Sequence, residues 1–147
     1  SMTLSDSFCV GRYRSEFLDL MRSGTVDIVF ANEQEALSLY ETDDFAQALD
    51  LISKDCKLAA VTMGDQGAVI VKDGARIRVP ATKVQTVVDT TGAGDLFAAG
   101  FLFGYTNGRS LEDCGHLGCY AAGVVIQQIG PRPMMSLKNG AAATGLI

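Results

Sequence analysis

A short glycine run between two aspartates is the part of the sequence best suited to chemistry. The segment from Asp89 to Asp95 reads Asp-Thr-Thr-Gly-Ala-Gly-Asp, and a very apolar segment that we predict to be a helix follows it. Amides in the first turn of a helix lack intrahelical partners, and the small residues Gly92, Ala93 and Gly94 let an anion approach them. The run is not a Walker P-loop, because no Gly-Lys-Ser/Thr follows, and its glycine spacing excludes the dinucleotide-binding fingerprint. It therefore predicts a phosphate-binding turn of another kind.

Asp95 lies in the first turn of the predicted helix, where the positive end of the helix dipole favours its ionised form. A carboxylate beside an anion-binding turn is useful if it takes a proton from an incoming hydroxyl while the amides stabilise charge on a transferred phosphoryl group. A simpler interpretation is that Asp95 only caps the helix and the glycines only turn the chain. The chemical interpretation predicts a phosphotransferase with Asp95 as general base.

Strands that alternate with helices would position this turn. Apolar periodicity and turn signals predict helices at 15–22, 32–40, 43–54, 96–105 and from 110 to Gly130-Pro131, and strands at 27–31, 58–63, 68–71 and 76–79. The Asp73-Gly74 pair predicts a tight hairpin, and the segment 96–105 is apolar enough to predict a fully buried helix. The pattern indicates an α/β fold with a mainly parallel sheet flanked by helices.

Composition limits the class of protein. With 147 residues, 48% of them hydrophobic, the chain can bury one core and is expected to form one domain or part of one. Its 17 acidic against 12 basic residues, a net charge of -5, argue against nucleic-acid binding. No apolar run is long enough to span a membrane and no signal peptide is evident, so we expect a cytoplasmic protein. No C-x-x-C pair occurs, which predicts reduced filler cysteines at positions 9, 56, 114 and 119.

The run from Asp89 to Asp95 and the helix after it resemble the second signature of the PfkB carbohydrate kinases, which share the ribokinase fold. The resemblance implies that Gly92, Ala93 and Gly94 form the anion hole that receives the nucleotide phosphate, and that Asp95 is the catalytic base. In relatives that use a monovalent cation such as potassium, the residues matching Asp89 and Thr91 help to hold it. The cofactors implied are therefore ATP with magnesium and, in such relatives, potassium.

Two upstream motifs support the resemblance. Thr62 to Gly67 is similar to the family's Thr-x-Gly-x-x-Gly turn, which implies nucleotide contacts from Thr62, Gly64, Asp65 and Gly67. A plain strand-turn-strand would need the same glycines. Asn32 to Glu35 is similar to the family's Asn-x-x-Glu motif, whose glutamate acts through water on the magnesium of ATP. The same residues form an ordinary capping box, and both interpretations can hold.

The resemblance covers nearly the whole chain. We assign residues 3–139 to the C-terminal ATP-binding and catalytic part of a ribokinase-like domain, Ser1-Met2 to a vector-derived remnant and residues 140–147 to a loose tail. Within the family, Thr3-Leu4-Ser5 and the run 116–130, with Tyr120-Ala121-Ala122, resemble the adenosine kinase branch most. The stretch 117–125 would then contribute to the adenine pocket. His116 receives no role.

Members of the family are longer, and their first strands, β lid and sugar-gripping residues have no counterpart here. The function implied is ATP-dependent phosphorylation of a hydroxymethyl group on a nucleoside such as adenosine, or on a sugar. The alternatives are a catalytically incompetent nucleotide-binding fragment of such a kinase and a scaffold domain. Sheet edges left by the missing strands allow a homo-oligomer, while no nucleic acid or membrane partner is expected.

Overall fold

The computed structural model describes residues 1–147. Five strands follow the chain order: β1 (Met2–Thr3), β2 (Ile28–Asn32), β3 (Leu58–Thr62), β4 (Ala68–Lys72) and β5 (Ala75–Val79). The α-helices are α1 (Ser7–Arg12), α2 (Arg14–Arg22), α3 (Glu33–Tyr40), α4 (Phe45–Asp55), α5 (Ala93–Thr106), α6 (Leu111–Val125) and α7 (Leu137–Ala143). A 3-10 turn at Gly64–Gln66 separates β3 from β4.

The chain divides into two compact units. The first contains Ser1–Gly64 and Val69–Ile77, and the second contains Asp65–Ala68 and Arg78–Ile147. The first unit holds most of the sheet with α1 to α4, and the second holds α5 to α7. The upstream motifs and the glycine run therefore belong mainly to different units.

The sheet is parallel where it carries predicted site residues. Its strands are hydrogen-bonded in the order β1-β2-β3-β4-β5. Strands β1 and β3 both pair parallel with β2, and Asn32 at the end of β2 lies opposite Thr62 at the end of β3. The connections that lead into β4 and β5 are too short for a parallel crossover, so these strands run antiparallel. The predicted α/β fold is confirmed, with its parallel pairing confined to the first three strands.

Side chains of strands and helices share the core of the first unit. Val29 and Val61 on the strands, with Leu49 and Ile52 on α4, are at most 1% exposed. Helices α3 and α4 follow one another between β2 and β3, which confirms the predicted strand-helix-helix order. Burial of this apolar surface fixes the carboxyl ends of β2 and β3 side by side.

The hairpin between β4 and β5 forms as its turn residues predict. Asp73 has φ 51° and Gly74 has φ 79°, and a type I′ turn requires positive φ at both central positions.

Glycines let α5 and α6 approach each other closely in the second unit. A Cβ atom placed on Gly100 would lie 2.4 Å from the carbonyl oxygen of Leu117. One placed on Gly118 would lie 2.8 Å from the ring of Phe97. The rings of Phe97 and Phe101 are both buried, with their centroids 6.2 Å apart. Helix α5 is therefore held along one side by close contact with α6.

The prediction that residues 96–105 form a fully buried helix is wrong. Phe97, Phe101 and Gly104 are buried, but Phe103 is 39% and Tyr105 is 45% exposed. Because α5 packs against α6 along one side, the opposite side stays open. None of the helices, α5 included, combines the length and apolarity that crossing a membrane requires.

Helix α6 ends at Val125, earlier than the predicted stop at Gly130-Pro131. The carbonyl oxygen of Ile126 accepts hydrogen bonds from the amides of Val88 at 2.7 Å and Asp89 at 3.2 Å. The chain turns after Ile126 and does not continue as a helix. The end of α6 is thus set by contacts with a distant segment of the same unit.

The predicted loose tail at 140–147 is wrong for its first four residues. Ser136 caps α7 by accepting from the amide of Asn139, and the helix continues through Ala143. Ala141 is 4% exposed, and a Cβ atom on Gly140 would meet the hydroxyl of Tyr120.

The cysteines are free, as predicted. Cys114 and Cys119 are buried, whereas Cys9 and Cys56 are half-buried.

We expect Gly100→Ala to lower the free energy of unfolding by about 1–3 kcal/mol, because the added methyl group overlaps the Leu117 carbonyl. Chemical denaturation measures this loss. Gly11→Ala is the matched control, since Gly11 lies in α1 with open space around it, and there alanine should stabilise by up to about 1 kcal/mol. Equal stabilities for the two variants would contradict the close packing of α5 on α6.

Candidate active site

Helix α5 begins at a glycine that no other residue could replace without strain. Gly92 is the N-cap residue and has φ 80°, a conformation that favours glycine. A Cβ atom there would also lie 2.5 Å from the Cβ of Pro131. Both the positive φ and the close approach of Pro131 therefore require glycine at position 92.

The turn presents unpaired backbone amides, as predicted, but their identity differs from the prediction. The amide of Ala93 donates to the carbonyl oxygen of Thr90 at 3.1 Å, so its predicted availability is wrong. The amides of Gly92, Gly94 and Asp95 donate to no acceptor within the protein. A Cβ atom on Gly94 would meet no atom within 4 Å, so the space beside this residue is open. These three amides can reach an incoming anion.

The start of α5 is one of two helix starts in this chain that no side chain caps, the other being that of α2. Side chains cap five other helices by accepting from a backbone amide in the first turn, namely those of Asp6, Asn32, Asp44, Ser110 and Ser136. Gly92 has no side chain to do this, and α5 is longer than all but one of the other helices. Its dipole and free amides are thus left available to a ligand.

Asp95 lies in the first turn of α5 and is exposed. Its carboxylate makes no hydrogen bond and no ion pair within the protein. A carboxylate with no internal partner keeps its lone pairs available to a substrate hydroxyl.

Asp89, by contrast, is engaged by the protein itself. Its Oδ1 atom accepts from the amide of Thr91 at 2.9 Å and from the Thr91 hydroxyl at 2.7 Å, while Oδ2 accepts from the amide of Gly130 at 3.0 Å. The hydrogen bonds from Thr91 and then Gly130 lower the pKa of this carboxyl. A carboxylate has about four acceptor positions, and three are already occupied. Asp89 therefore retains little capacity for the predicted monovalent cation.

Asn32 and Glu35 form the capping box that the sequence allows. The amide of Glu35 donates to Asn32 Oδ1 at 2.8 Å, and the Asn32 amide donates to Glu35 Oε2 at 2.9 Å. Asn32 Nδ2 also donates to Glu35 Oε1 at 3.1 Å. Glu35 is only 5% exposed, and burial raises the pKa of its carboxyl despite the backbone hydrogen bond.

The magnesium interpretation of this pair fits only through water. No group of three or more acidic, histidine or cysteine side chains gathers anywhere in the chain. Magnesium retains several waters and needs one or two carboxylates beside substrate phosphates. Each Glu35 oxygen can accept a second hydrogen bond from such a water, and the capping box does not prevent this.

Thr62 lies beside the capping box at the same end of the parallel strands. It pairs with Asn32 in the register of β2 and β3, and its hydroxyl donates to the Ala31 carbonyl at 3.5 Å, a long contact. Gly64 follows with φ 58° and open space where a side chain would be. Asn32, Glu35, Thr62 and Gly64 are thus brought together at one end of the sheet in the first unit.

Asp65 and Gly67 belong to the second unit. Asp65 is exposed, and its side chain makes no hydrogen bond within the protein. Gly67 is buried with φ 91°, and a Cβ atom there would lie 2.0 Å from the carbonyl oxygen of Val79. Close backbone packing therefore accounts for a glycine at position 67 without any ligand. At this residue the structure agrees with the plain strand-turn-strand interpretation.

Sequence reasoning missed the segment from Ile126 to Met134. It supplies the Pro131 contact to Gly92 and the Gly130 amide for Asp89. The only signal was Gly130-Pro131, which we interpreted as a helix stop. The predicted adenine-pocket stretch 117–125 is mostly buried in α6, and His116 on the same helix is half-buried.

Comparisons with known proteins agree on one family. The pattern of the pfkB family carbohydrate kinases matches residues 4–138. A cytidine kinase of Thermococcus kodakarensis is 40% identical over an alignment of 126 residues, which covers 80% of this chain and 45% of that protein.

Two solved structures superpose closely on the chain. A probable sugar kinase from Rhizobium etli is 73% identical with a TM-score of 0.98, covering 99% of this chain and 44% of that one. An adenosine kinase from Sinorhizobium meliloti is 68% identical with a TM-score of 0.96, covering 97% of this chain and 44% of that one. Ribokinase-family structures match as well, which confirms the ribokinase-like fold. The chain spans less than half the length of each of the three proteins described.

The raised pKa of Glu35 gives stability a specific pH dependence. A carboxyl whose folded pKa exceeds its ordinary value of 4.5 contributes stability that is complete below that value and lost as the pH rises through the folded pKa. We therefore expect the difference in unfolding free energy between the wild type and Glu35→Gln to fall as the pH rises from about 4.5, and then to level. Denaturant unfolding at a series of pH values measures it. A difference that stays constant or grows with pH would contradict the buried setting of Glu35.

Proposed function

Because the chain belongs to the pfkB family of carbohydrate kinases, we propose that it supplies the ATP-binding and catalytic part of a phosphotransferase. The acceptor is a hydroxymethyl group of a nucleoside such as adenosine, or of a sugar. The two acceptor classes correspond to the relatives named as adenosine and cytidine kinases and as a probable sugar kinase. The proposed reaction consumes ATP, which the cytoplasm contains, so we propose the cytoplasm as the location of the protein.

One observation carries this proposal. The start of α5 combines three unpaired amides with a free carboxylate, from Gly92 through Asp95. The amides attract an anion, whereas the carboxylate would repel one unless it has another task. General-base catalysis next to a transferred phosphoryl group gives both features a use at once.

In the proposed reaction, the acceptor hydroxyl oxygen forms a bond to the terminal phosphorus of ATP. Asp95 takes the hydroxyl proton, and the bond from that phosphorus to the bridging oxygen breaks, so that ADP leaves with the electron pair. The amides of Gly92, Gly94 and Asp95 stabilise the charge on the phosphoryl oxygens. Ala93 contributes through its small side chain, since its amide is engaged by Thr90.

The remaining predicted residues are assigned to the nucleotide. Thr62, Gly64 and Asp65 would lie near its phosphates, and Thr91 would join the amides of the glycine turn. Bound magnesium neutralises phosphate charge, and Glu35 with Asn32 would hold one of its waters. Gly67 acts by allowing the tight backbone approach to Val79.

A second candidate is a nucleotide-binding chain without catalysis. The observation that favours it is coverage, because the chain matches only 44–45% of the relatives described above. Residues that grip the acceptor would then lie outside these 147 residues. Both candidates share the same phosphate-binding turn and differ in turnover.

We expect Asp95→Asn in the complete protein to lower kcat by about 10²–10⁴-fold, because the amide cannot accept the hydroxyl proton. The KM for ATP should change little. Asp113→Asn is the matched control, since Asp113 is also an exposed carboxylate in a first helical turn. A coupled assay for ADP release measures both, and an Asp95→Asn enzyme that keeps near wild-type turnover would rule out the assigned base.

We expect Gly92→Ala to abolish ATP binding by the 147-residue chain, because the methyl group would overlap Pro131 and displace the amides. Calorimetry with ATP and magnesium measures binding. Gly108→Ala is the control, since Gly108 has φ 71° but open space around it. A parallel turnover assay of the 147-residue chain with adenosine separates the candidates, because ATP binding without turnover favours the second.

A further inference from the structure

The side chain of Asp89 joins two segments of the second unit. Its hydrogen bonds reach Thr91, two residues along the chain, and Gly130, which is 41 residues away. Both carboxylate oxygens take part, and all donors belong to the protein. Asp89 thus links the segment before α5 to the segment after α6.

Backbone hydrogen bonds reinforce this link. The amides of Val88 and Asp89 both donate to the carbonyl oxygen of Ile126. The segment 88–89 is therefore held to residues 126–130 through its backbone and through one side chain.

The segment after α6 is itself closed by a glutamine. The amide group of Gln128 donates through Nε2 to the carbonyl oxygen of Arg132, and its Oε1 accepts from the amide of Met134 at 3.1 Å. This closure lies around Pro131, whose side chain would clash with any Cβ atom at Gly92. Because these hydrogen bonds hold the segment around Pro131 in place, the segment can fix the position of the glycine turn.

Few other contacts hold the turn. Between residues 90 and 92 the chain has no regular secondary structure, and the bond from Ala93 to Thr90 is internal to the turn. Without Asp89, the turn would keep its φ preference at Gly92 but lose its link to residue 130.

We propose that Asp89 is a positioning residue that locks the glycine turn to residues 126–131 and so holds the amides of Gly92, Gly94 and Asp95 ready for the phosphoryl group. The inference rests on the proposed function. Asp89 acts through Thr91 and Gly130 and does not contact the substrate. Its carboxylate is used for geometry, in contrast to the cation-binding role that the resemblance implies.

The test is Asp89→Asn in the complete protein, with two readouts. Asparagine keeps one oxygen to accept from Thr91, but its amide nitrogen cannot accept from Gly130. We expect faster hydrogen exchange at the Gly130 amide, measured by NMR, and a fall in kcat of roughly ten- to a hundredfold with little change in the acceptor KM. Asp44→Asn is the control, because Asp44 makes a similar capping hydrogen bond to Gln47 in the first unit.

Thr91 provides a second comparison if Asp89→Asn does not fold. Thr91→Ser keeps the hydroxyl donor to Asp89, and Thr91→Val removes it. We expect a larger fall in kcat and faster exchange of the turn amides for valine than for serine. Equal effects of the two substitutions would overturn the proposal.

The outcomes separate positioning from cation binding and from failure of the proposed function. If Asp89→Asn leaves Gly130 exchange unchanged and instead raises the potassium concentration needed for activity, Asp89 is a cation ligand and the proposal is overturned. Unchanged exchange with unchanged kcat also overturns it. If Asp95→Asn retains activity while Gly130 exchange responds to Asp89→Asn, the proposed function fails but the structural link stands.

Discussion

The absence of a capping side chain at Gly92 is the constraint on which the candidate site depends. A serine or aspartate there would satisfy the first-turn amides, as Asn32 does for α3. However, either side chain would clash with Pro131 through its Cβ atom, and the positive φ at this position would strain its backbone. The same glycine therefore leaves α5 without an internal cap and makes its dipole available to an external anion.

Two aspartates in one short motif have opposite surroundings. Asp89 accepts three hydrogen bonds from protein donors, which lower its pKa, whereas Asp95 accepts none. A carboxylate that is saturated with donors is fixed in place and poor at taking up a proton. A carboxylate without an internal partner is free to take the proton that a substrate hydroxyl releases. In the proposed reaction, Asp89 would hold the turn and Asp95 would accept the proton.

Glu35 has a structural role that leaves room for the proposed chemical one. The capping box that it makes with Asn32 accounts for its burial and its hydrogen bonds without any ligand. Its capping partner Asn32 nonetheless pairs with Thr62 at the carboxyl end of the parallel strands, where ligands of α/β proteins usually bind. The capping hydrogen bonds fix the orientation of the Glu35 carboxylate. They would thereby also fix the position of a water molecule bound to it.

Sequence predicted the features whose causes lie within a few residues. The capping box at Asn32 and the hairpin at Asp73-Gly74 each depend on partners three residues away or closer. Contacts between distant segments were not predictable, because a single sequence does not show which residues meet. The links from Asp89 to Gly130 and from Gly92 to Pro131 are of this kind.

The burial of α5 could not be predicted from the sequence for a related reason. The apolar run in α5 identified a helix but not which of its sides would be covered, and Phe103 and Tyr105 proved exposed. The neighbours of a helix decide this, and hydrophobicity alone does not.

The backbone contact between Gly100 and Leu117 limits how α5 can move relative to α6. A helix seated against a carbonyl oxygen, with Phe97 wedged beside Gly118, cannot rotate about its axis or shift along its partner without collision. We therefore expect helices α5 and α6 to move together as one rigid pair. Any movement would then occur in the segments before and after these two helices, and the first-turn amides of α5 would keep their position relative to α6.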